Sequence, residues 1–407
     1  MQSSMWLPFA ILCAVPFIMV LGNSMLVPLL PKMKEAMDVS LFQVSLFITA
    51  FSLPAGITIP FAGFLSDRFG RKAIMSPALI LYGSGGLLAG AAGSFLAHPY
   101  YFILGSRILQ GIGAGGTYQL AMALVGDIFQ SKERAKALGL LEASNGLGKV
   151  ISPIAGALLG LISWYTPFYV YGLLAIPVGL AVWLAVNEPP RARGEQKTSS
   201  AYFSNLREIF QTKGGSLLAC FLAGMVVLFI LFGVLSLVAD FLEAGYSMSG
   251  LKVGLIIALP VAAMALTSYL SGSCLQKKAG YLLKMSIIAG LALTGLALGI
   301  MGLRPPLYIS FLALNILGVG TGAVLPAVNT LITSAAAASE RGAITCLYGS
   351  LRFLGVALGP PAFGMALNYG TSFLFGLATA LVAAVALLNA FLVQAHKMLP
   401  PELLARH

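Results

Sequence analysis

Long apolar runs alternate with short polar turns along almost the whole chain. Runs of about 20 residues match a bilayer core of about 30 Å when they are coiled as α-helix. The pattern predicts twelve spans, at about 7–30, 42–65, 73–94, 101–126, 137–161, 166–187, 216–239, 251–275, 283–303, 307–334, 342–368 and 371–395. The fold class is therefore an all-α polytopic membrane protein. Residues 188–214 form the one long polar stretch, which opens with Pro189-Pro190. Within it Phe203, Leu206, Ile209 and Phe210 fall on one helical face, as in a short amphipathic helix lying on a membrane surface. The predicted organisation is a six-helix bundle over 1–187, a linker over 188–214 and a second six-helix bundle over 215–407.

The two bundles read as copies of one another. Gly318, Gly320 and Gly322 fall on Gly111, Gly113 and Gly115 at a shift of 207 residues. At that shift, without a gap, Glu340-Arg341 falls on Glu133-Arg134, Gly355 on Gly148 and Pro360 on Pro153. A repeat near half the chain length indicates duplication of a module, not a short-period solenoid.

Composition excludes a soluble fold. Hydrophobic residues make up 58% of the chain and charged residues 9%, against about 25% charged in soluble domains. The net charge of +11 would suit nucleic acid, but the position of the charges does not. With the N-terminus inside, 17 Lys and Arg fall in inner loops or tails and 4 in outer loops. That bias predicts both termini on the cytoplasmic side, and a basic face toward anionic lipid. The first segment lacks a basic leader and reads as a retained span. Cys13, Cys220, Cys274 and Cys346 are isolated within apolar segments, without metal-ligand spacing. The three histidines lie at loops or the tail, so a histidine-based active site or metal centre has no material.

The segment from Gly63 to Ile74 reads GFLSDRFGRKAI. Gly63 and Gly70 supply the permissive backbone of a tight turn, and Asp67, Arg68, Arg71 and Lys72 place both charge signs beside it. This segment resembles the signature G-x-L-a-D-r-x-G-R-k of the major facilitator superfamily. A degraded copy without the aspartate runs from Gly272 to Gly280. Leu21–Pro31 (LGNSMLVPLLP) and Arg107–Gly116 (RILQGIGAGG) are similar to first- and fourth-helix patterns of the twelve-span drug:proton antiporter branch. Gly139, Gly148, Ser152-Pro153 and Gly156-Ala157 resemble its fifth-helix motif, with small residues replacing two glycines. The resemblance covers essentially the whole chain. It implies two pseudo-symmetric six-helix bundles around a cavity, alternating access, and a gate in which Asp67 and Arg71 pair with Asp127. Two other patterns are decoys. Gly111–Gly116 fits a dinucleotide fingerprint but lies inside an apolar helix, and Gly148-Lys149 lacks the rest of a phosphate loop.

Four ionisable residues fall well inside spans: Arg107, Glu142, Lys149 and Arg352. A charge at the bilayer centre costs at least about 2.5–3.5 kcal/mol, so each is a candidate functional group. The alternative for each is an ion pair that fixes helix packing. Glu142, Asn145 and Lys149 share a helix face by their i, i+3, i+7 spacing, and the repeat puts Arg352 at the position of Asn145. Glu142 is the only acid well inside a span, and burial of a carboxyl favours its neutral form, as a proton carrier requires. Asp127 is the second proton-coupling candidate. Asn23, Arg107, Gln119, Asn145, Lys149 and Arg352 are the candidate cavity residues.

The expected function is efflux of small amphipathic molecules in exchange for protons, without cofactor or enzyme activity. The excess of buried cations points to a neutral, zwitterionic or anionic substrate. Export or uptake of a specific anionic or zwitterionic metabolite is therefore the alternative. The expected setting is a monomer in a bacterial inner or plasma membrane.

Overall fold

The structure is a computed structural model that describes residues 6–129, 131–189, 199–246, 248, 250–275, 280–335 and 341–399. Some residues at helix ends contribute backbone only. Every regular element among the described residues is helical: α1 (Trp6–Ser24), α2 (Leu30–Met37), α3 (Leu41–Phe69), α4 (Arg71–Phe95), α5 (Tyr100–Gly115), α6 (Tyr118–Ile128), α7 (Ser131–Leu159) and α8 (Thr166–Ala185). There follow α9 (Ser199–Tyr246), α10 (Leu251–Leu275), α11 (Gly280–Gly302), α12 (Leu307–Ala335), α13 (Arg341–Ala366), α14 (Thr371–Leu392) and the short α15 (Ala395–Met398). With α1–α2 and α5–α6 each taken as one passage, the chain makes the expected twelve. Among the described residues, ten passages are long and apolar enough to cross a membrane. The α5–α6 passage is broken and α7 carries charge.

Local chemistry sets several boundaries. Ser40 and Gln43 cap α3 reciprocally, each side chain bonding the other's backbone N–H, at 3.2 Å and 2.9 Å. The expected turn over 63–74 shrinks to one residue. Gly63 lies inside α3, and Gly70 alone turns the chain, at φ +108°, where an L side chain is strained. The fourth passage is interrupted at Gly116 and Thr117, whose N–H groups reach back only three residues, to Gly113 and Ala114. The Thr117 hydroxyl also takes the Ala114 carbonyl at 2.6 Å, so a side chain competes with the helix ladder at a glycine-rich point. The predicted surface helix before the seventh span is the start of α9, which runs unbroken from Ser199 to Tyr246. The side chains of Phe203, Leu206 and Ile209 lie outside the described residues, as do residues 276–279 of the degraded loop copy.

The chain divides into two compact units: Met1–Gln196 with Ser236–Ala258, and Lys197–Leu235 with Leu259–His407. In the first unit, a Cβ on Gly111 would strike the Phe51 carbonyl of α3, and one on Gly113 would lie 2.5 Å from the Ala78 carbonyl of α4. In the second unit, Gly318 meets the Pro260 carbonyl of α10 and Gly320 approaches the Gly290 carbonyl of α11 at 2.6 Å. Gly148 packs on α1 at Phe17, and its counterpart Gly355 packs on α9 at Met225. The repeated glycines are thus points of backbone-to-backbone approach in equivalent helix pairs. Here missing side chains let helices pack by van der Waals contact where no hydrophobic gradient drives them together.

Candidate functional site

The Gly70 turn assembles a charge cluster in the first unit. Arg71, the first residue of α4, lies with its Nε 2.7 Å from the carboxylate of Asp127 in the last turn of α6. Its Nη2 lies 3.8 Å from Asp67, one turn earlier on α3. The resemblance implied this grouping, and the geometry brings the three side chains together. A fourth member, Glu188, comes from beyond the end of α8. Its two carboxylate oxygens accept the backbone N–H groups of Arg71 at 2.9 Å and Lys72 at 3.0 Å. These are orphan donors of the first turn of α4, and an anion suits that helix end. A Cβ on Gly70 would lie 3.1 Å from Glu188. The Lys72 ammonium sits over the Trp183 ring at 5.8 Å, and Arg68 over Phe69 at 5.4 Å.

Arg107 was expected on a cavity wall. The structure buries it completely. Its Nε donates to the Phe47 carbonyl at 3.0 Å, and Nη1 to the Gly22 carbonyl at 2.9 Å and to Gln110 at 2.6 Å. Its Nη2 donates to Asn23, whose amide in turn donates to Ser52 at 2.7 Å. The Phe51 ring lies 4.5 Å from the guanidinium. Gly22 lies in the last turn of α1, where carbonyls lose their helical partners, so the arginine satisfies a group the helix end leaves over. Asn23 is drawn into the same network and is itself buried. The arrangement binds α1, α3 and α5 together.

Glu142 is corrected in the opposite sense. It is exposed, although it lies inside α7. The reason is the direction of packing: Ser144 donates to the Cys13 carbonyl at 2.7 Å, and Gly148 seats against Phe17, so α1 covers the other side of α7. The Glu142 carboxylate accepts the hydroxyl of Tyr118 on α6. Along the shared face, Asn145 is buried and Lys149 half-buried. Gln119, next to Tyr118, is half-buried. Of the fifth-helix motif, Gly148 is a close-approach position on α1 and Gly156 on the Met25 backbone just beyond it, and the Pro153 carbonyl lies 2.7 Å from where a Cβ on Gly254 of α10 would stand. Ser152 is fully buried. Gly139 faces open space, so tight packing does not explain that glycine.

Two further charged groups stand apart from these. Lys34 on α2 forms an ion pair with Asp240 near the end of α9, within the first unit. In the second unit Arg352 on α13 is half-buried, with its guanidinium 5.6 Å from the ring of Tyr348, one turn earlier.

Sequence reasoning missed Glu188, Tyr118 and Asp240. Glu188 fell in the polar linker and Asp240 just past the predicted seventh span, and their partners lie 117 and 206 residues away along the chain. Tyr118 carried a signal: it stands beside the glycine-rich break, on the helix before the one that holds Glu142.

Comparison with known proteins agrees with this fold. The family model described as Major Facilitator Superfamily matches residues 12–360. The Bacillibactin exporter of Bacillus subtilis (strain 168) is 37% identical over 366 residues, which cover 89% of this chain and 90% of that protein. Multidrug resistance protein 2 of the same organism is 32% identical over 168 residues, 41% of each chain. Among solved structures, a bacterial homologue of the human lysosomal transporter Spinster superposes with a TM-score of 0.75 at 19% identity, over 98% of this chain and 100% of that one. That likeness concerns the fold. The chain is a multi-pass membrane transporter and belongs to the major facilitator superfamily.

Proposed function

We propose that this chain exports a small amphipathic molecule in exchange for protons, by alternating access. The observation that carries the reading is the Glu142 carboxylate, set inside a helix yet exposed, and hydrogen-bonded by Tyr118. An exposed carboxylate with a hydroxyl partner has what a proton carrier needs: a group that holds a proton and a neighbour that can exchange it. Asp127, engaged with Arg71, serves the gate, with Asp67, Gly70 and Glu188 holding the arginine in place. Asn145, Lys149 and Arg352 polarise the path of the substrate.

The substrate reading follows the relative that matches along most of the chain. Bacillibactin or a compound like it is favoured over a broad set of drugs, because the drug-resistance relative matches less than half of this protein. The energy suffices: a membrane potential of about 150 mV supplies about 3.5 kcal/mol per proton, enough for a gradient of a few hundred-fold.

The test uses purified protein in liposomes with a pH-sensitive dye inside and bacillibactin supplied on one side. Bacillibactin movement that is accelerated by an imposed pH gradient and accompanied by opposite proton flow supports the reading. Movement at one rate with or without the gradient, with flat internal pH, replaces exchange with uniport.

A further inference from the structure

Among the described residues, Arg352 has no acid to answer it. The second unit contains three acidic residues, Glu208, Glu340 and Glu402. None lies within the apolar part of a predicted span. Glu340 precedes α13, and Arg352 lies eleven residues into that helix, or about 16 Å at 1.5 Å per residue. Among the described residues no carboxylate pairs with Arg352, and its buried Nε has no hydrogen-bond partner. This contrasts with Arg107, whose three nitrogens are all engaged by protein groups. Arg107 is a finished structural group, whereas Arg352 is half-buried and, among the described residues, its Nε lacks a hydrogen-bond partner and its charge a carboxylate. An unpaired cation in a low-dielectric setting is costly and is kept where something else completes it.

Its surroundings hold it in place without neutralising it. The guanidinium rests against Tyr348, which is 1% exposed and stacks on Phe221 of α9 at 6.0 Å and an interplanar angle of 15°. A Cβ on Gly224 would run into the Tyr348 hydroxyl, so the glycine admits that ring to the α9 backbone. The Tyr348 hydroxyl also lacks a hydrogen-bond partner among the described residues. An aromatic face attracts a cation but leaves its N–H donors free, and a guanidinium fork matches an oxyanion.

We propose that Arg352 is the docking point for an anionic group of the transported molecule, with Tyr348 as the residue that positions it. This makes the substrate class an organic anion or a zwitterion presenting its anionic end to the second unit. The inference rests on the transport reading above but not on proton coupling.

The test is counterflow exchange in proteoliposomes at equal pH on both sides, which needs no proton movement. The probes are 2-naphthoate, 2-naphthamide and 2-naphthylmethylammonium, alike in ring and different in charge. Wild type is expected to exchange the carboxylate about tenfold faster than the amide, the difference one charge-assisted contact makes. Arg352→Gln is expected to bring the carboxylate down to the amide's rate and leave the amide within about twofold, while Arg352→Lys keeps part of the preference because it keeps the charge. Wild type without carboxylate preference, or an Arg352→Gln variant that keeps it, overturns the proposal. So does an equal loss of all three probes in a variant that melts like wild type. Should Arg352→Gln fail to fold, the wild-type melting temperature decides. A rise with naphthoate and none with naphthamide supports the site, and equal shifts overturn it. Exchange of none of the three probes overturns the transport reading together with the subsite.

Discussion

Arg71 and Asp127 stand 2.7 Å apart, and each sits at the end of its helix that its own charge disfavours. Arg71 is a cation at the N-terminus of α4, and Asp127 an anion at the C-terminus of α6. A charge misplaced in this way costs about 0.3–1 kcal/mol against the helix dipole. Each charge offsets the other's misplacement, and Glu188 supplies the anion that the start of α4 lacks. The pair is weak in isolation and strongly dependent on alignment, which suits the gate role proposed for it.

Breaking that pair is therefore expected to affect movement more than stability. Asp127→Asn and Arg71→Gln should each lower stability by less than about 1 kcal/mol, since both side chains are part-exposed. Their transport rates should fall by about tenfold, because one closed arrangement loses its differential contact. Thermal melting and substrate flux on the same preparations check this. A large fall in melting temperature with proportionate loss of flux would recast the pair as structural.

Glu188→Ala is expected to leave two first-turn amides of α4 without their acceptor, at a cost of about 0.5–2 kcal/mol, the range for losing a helix cap. Glu188→Gln keeps one acceptor oxygen and should fall between. Hydrogen exchange reads the effect directly: the Arg71 and Lys72 amides should lose protection in Glu188→Ala, while the middle of α4 stays protected. Unchanged protection at those two amides would contradict the cap.

Arg107 should behave as a structural keystone. Arg107→Gln leaves the Phe47 and Gly22 carbonyls and Asn23 without their donor, and removal of one side of a buried charged network costs about 3–5 kcal/mol. Arg107→Lys should recover little, because one ammonium cannot reach groups arranged for a fork. Unfolding in mild detergent measures both. Near-wild-type melting of Arg107→Gln with altered substrate preference would instead put the residue in the transport path.

Alanine substitutions should separate packing glycines from the rest. Gly111→Ala and Gly318→Ala drive a methyl into a backbone carbonyl and should each cost about 1–3 kcal/mol, as overpacking does. Gly139→Ala meets open space and should stabilise α7 by about 0.5–1 kcal/mol through helix propensity. Matched effects at Gly111 and Gly318 would also measure how evenly the two copies are packed.

Patterns with a period were legible in the sequence. The spans show as apolar runs, and the duplication shows because Gly111 and Gly318 are forced by the same backbone approach. Gly70 was legible as a turn because only glycine sits easily at its φ of +108°. Gly63, in the same motif, was misread as part of that turn because nothing local stops α3 before Phe69. The fate of the charges was harder to read. Arg107 and Glu142 both appear as ions within apolar runs, yet one is sealed by carbonyls of α1 and α3 and the other lies open beside Tyr118. Hydrophobicity along one helix cannot distinguish them, because the difference comes from which neighbour covers that face. Glu188 was invisible for a related reason: its partners are backbone amides, which carry no residue-type signal.

The most direct measurement compares wild type with Glu142→Gln in two modes on the same proteoliposomes: exchange of labelled for unlabelled bacillibactin at equal pH, and export driven by a pH gradient. The proposal predicts that the variant keeps exchange within about twofold, since the neutral amide mimics the protonated carboxyl, and loses gradient-driven export with its proton flux. Full gradient-driven export and proton flux in Glu142→Gln would contradict Glu142 as the carrier.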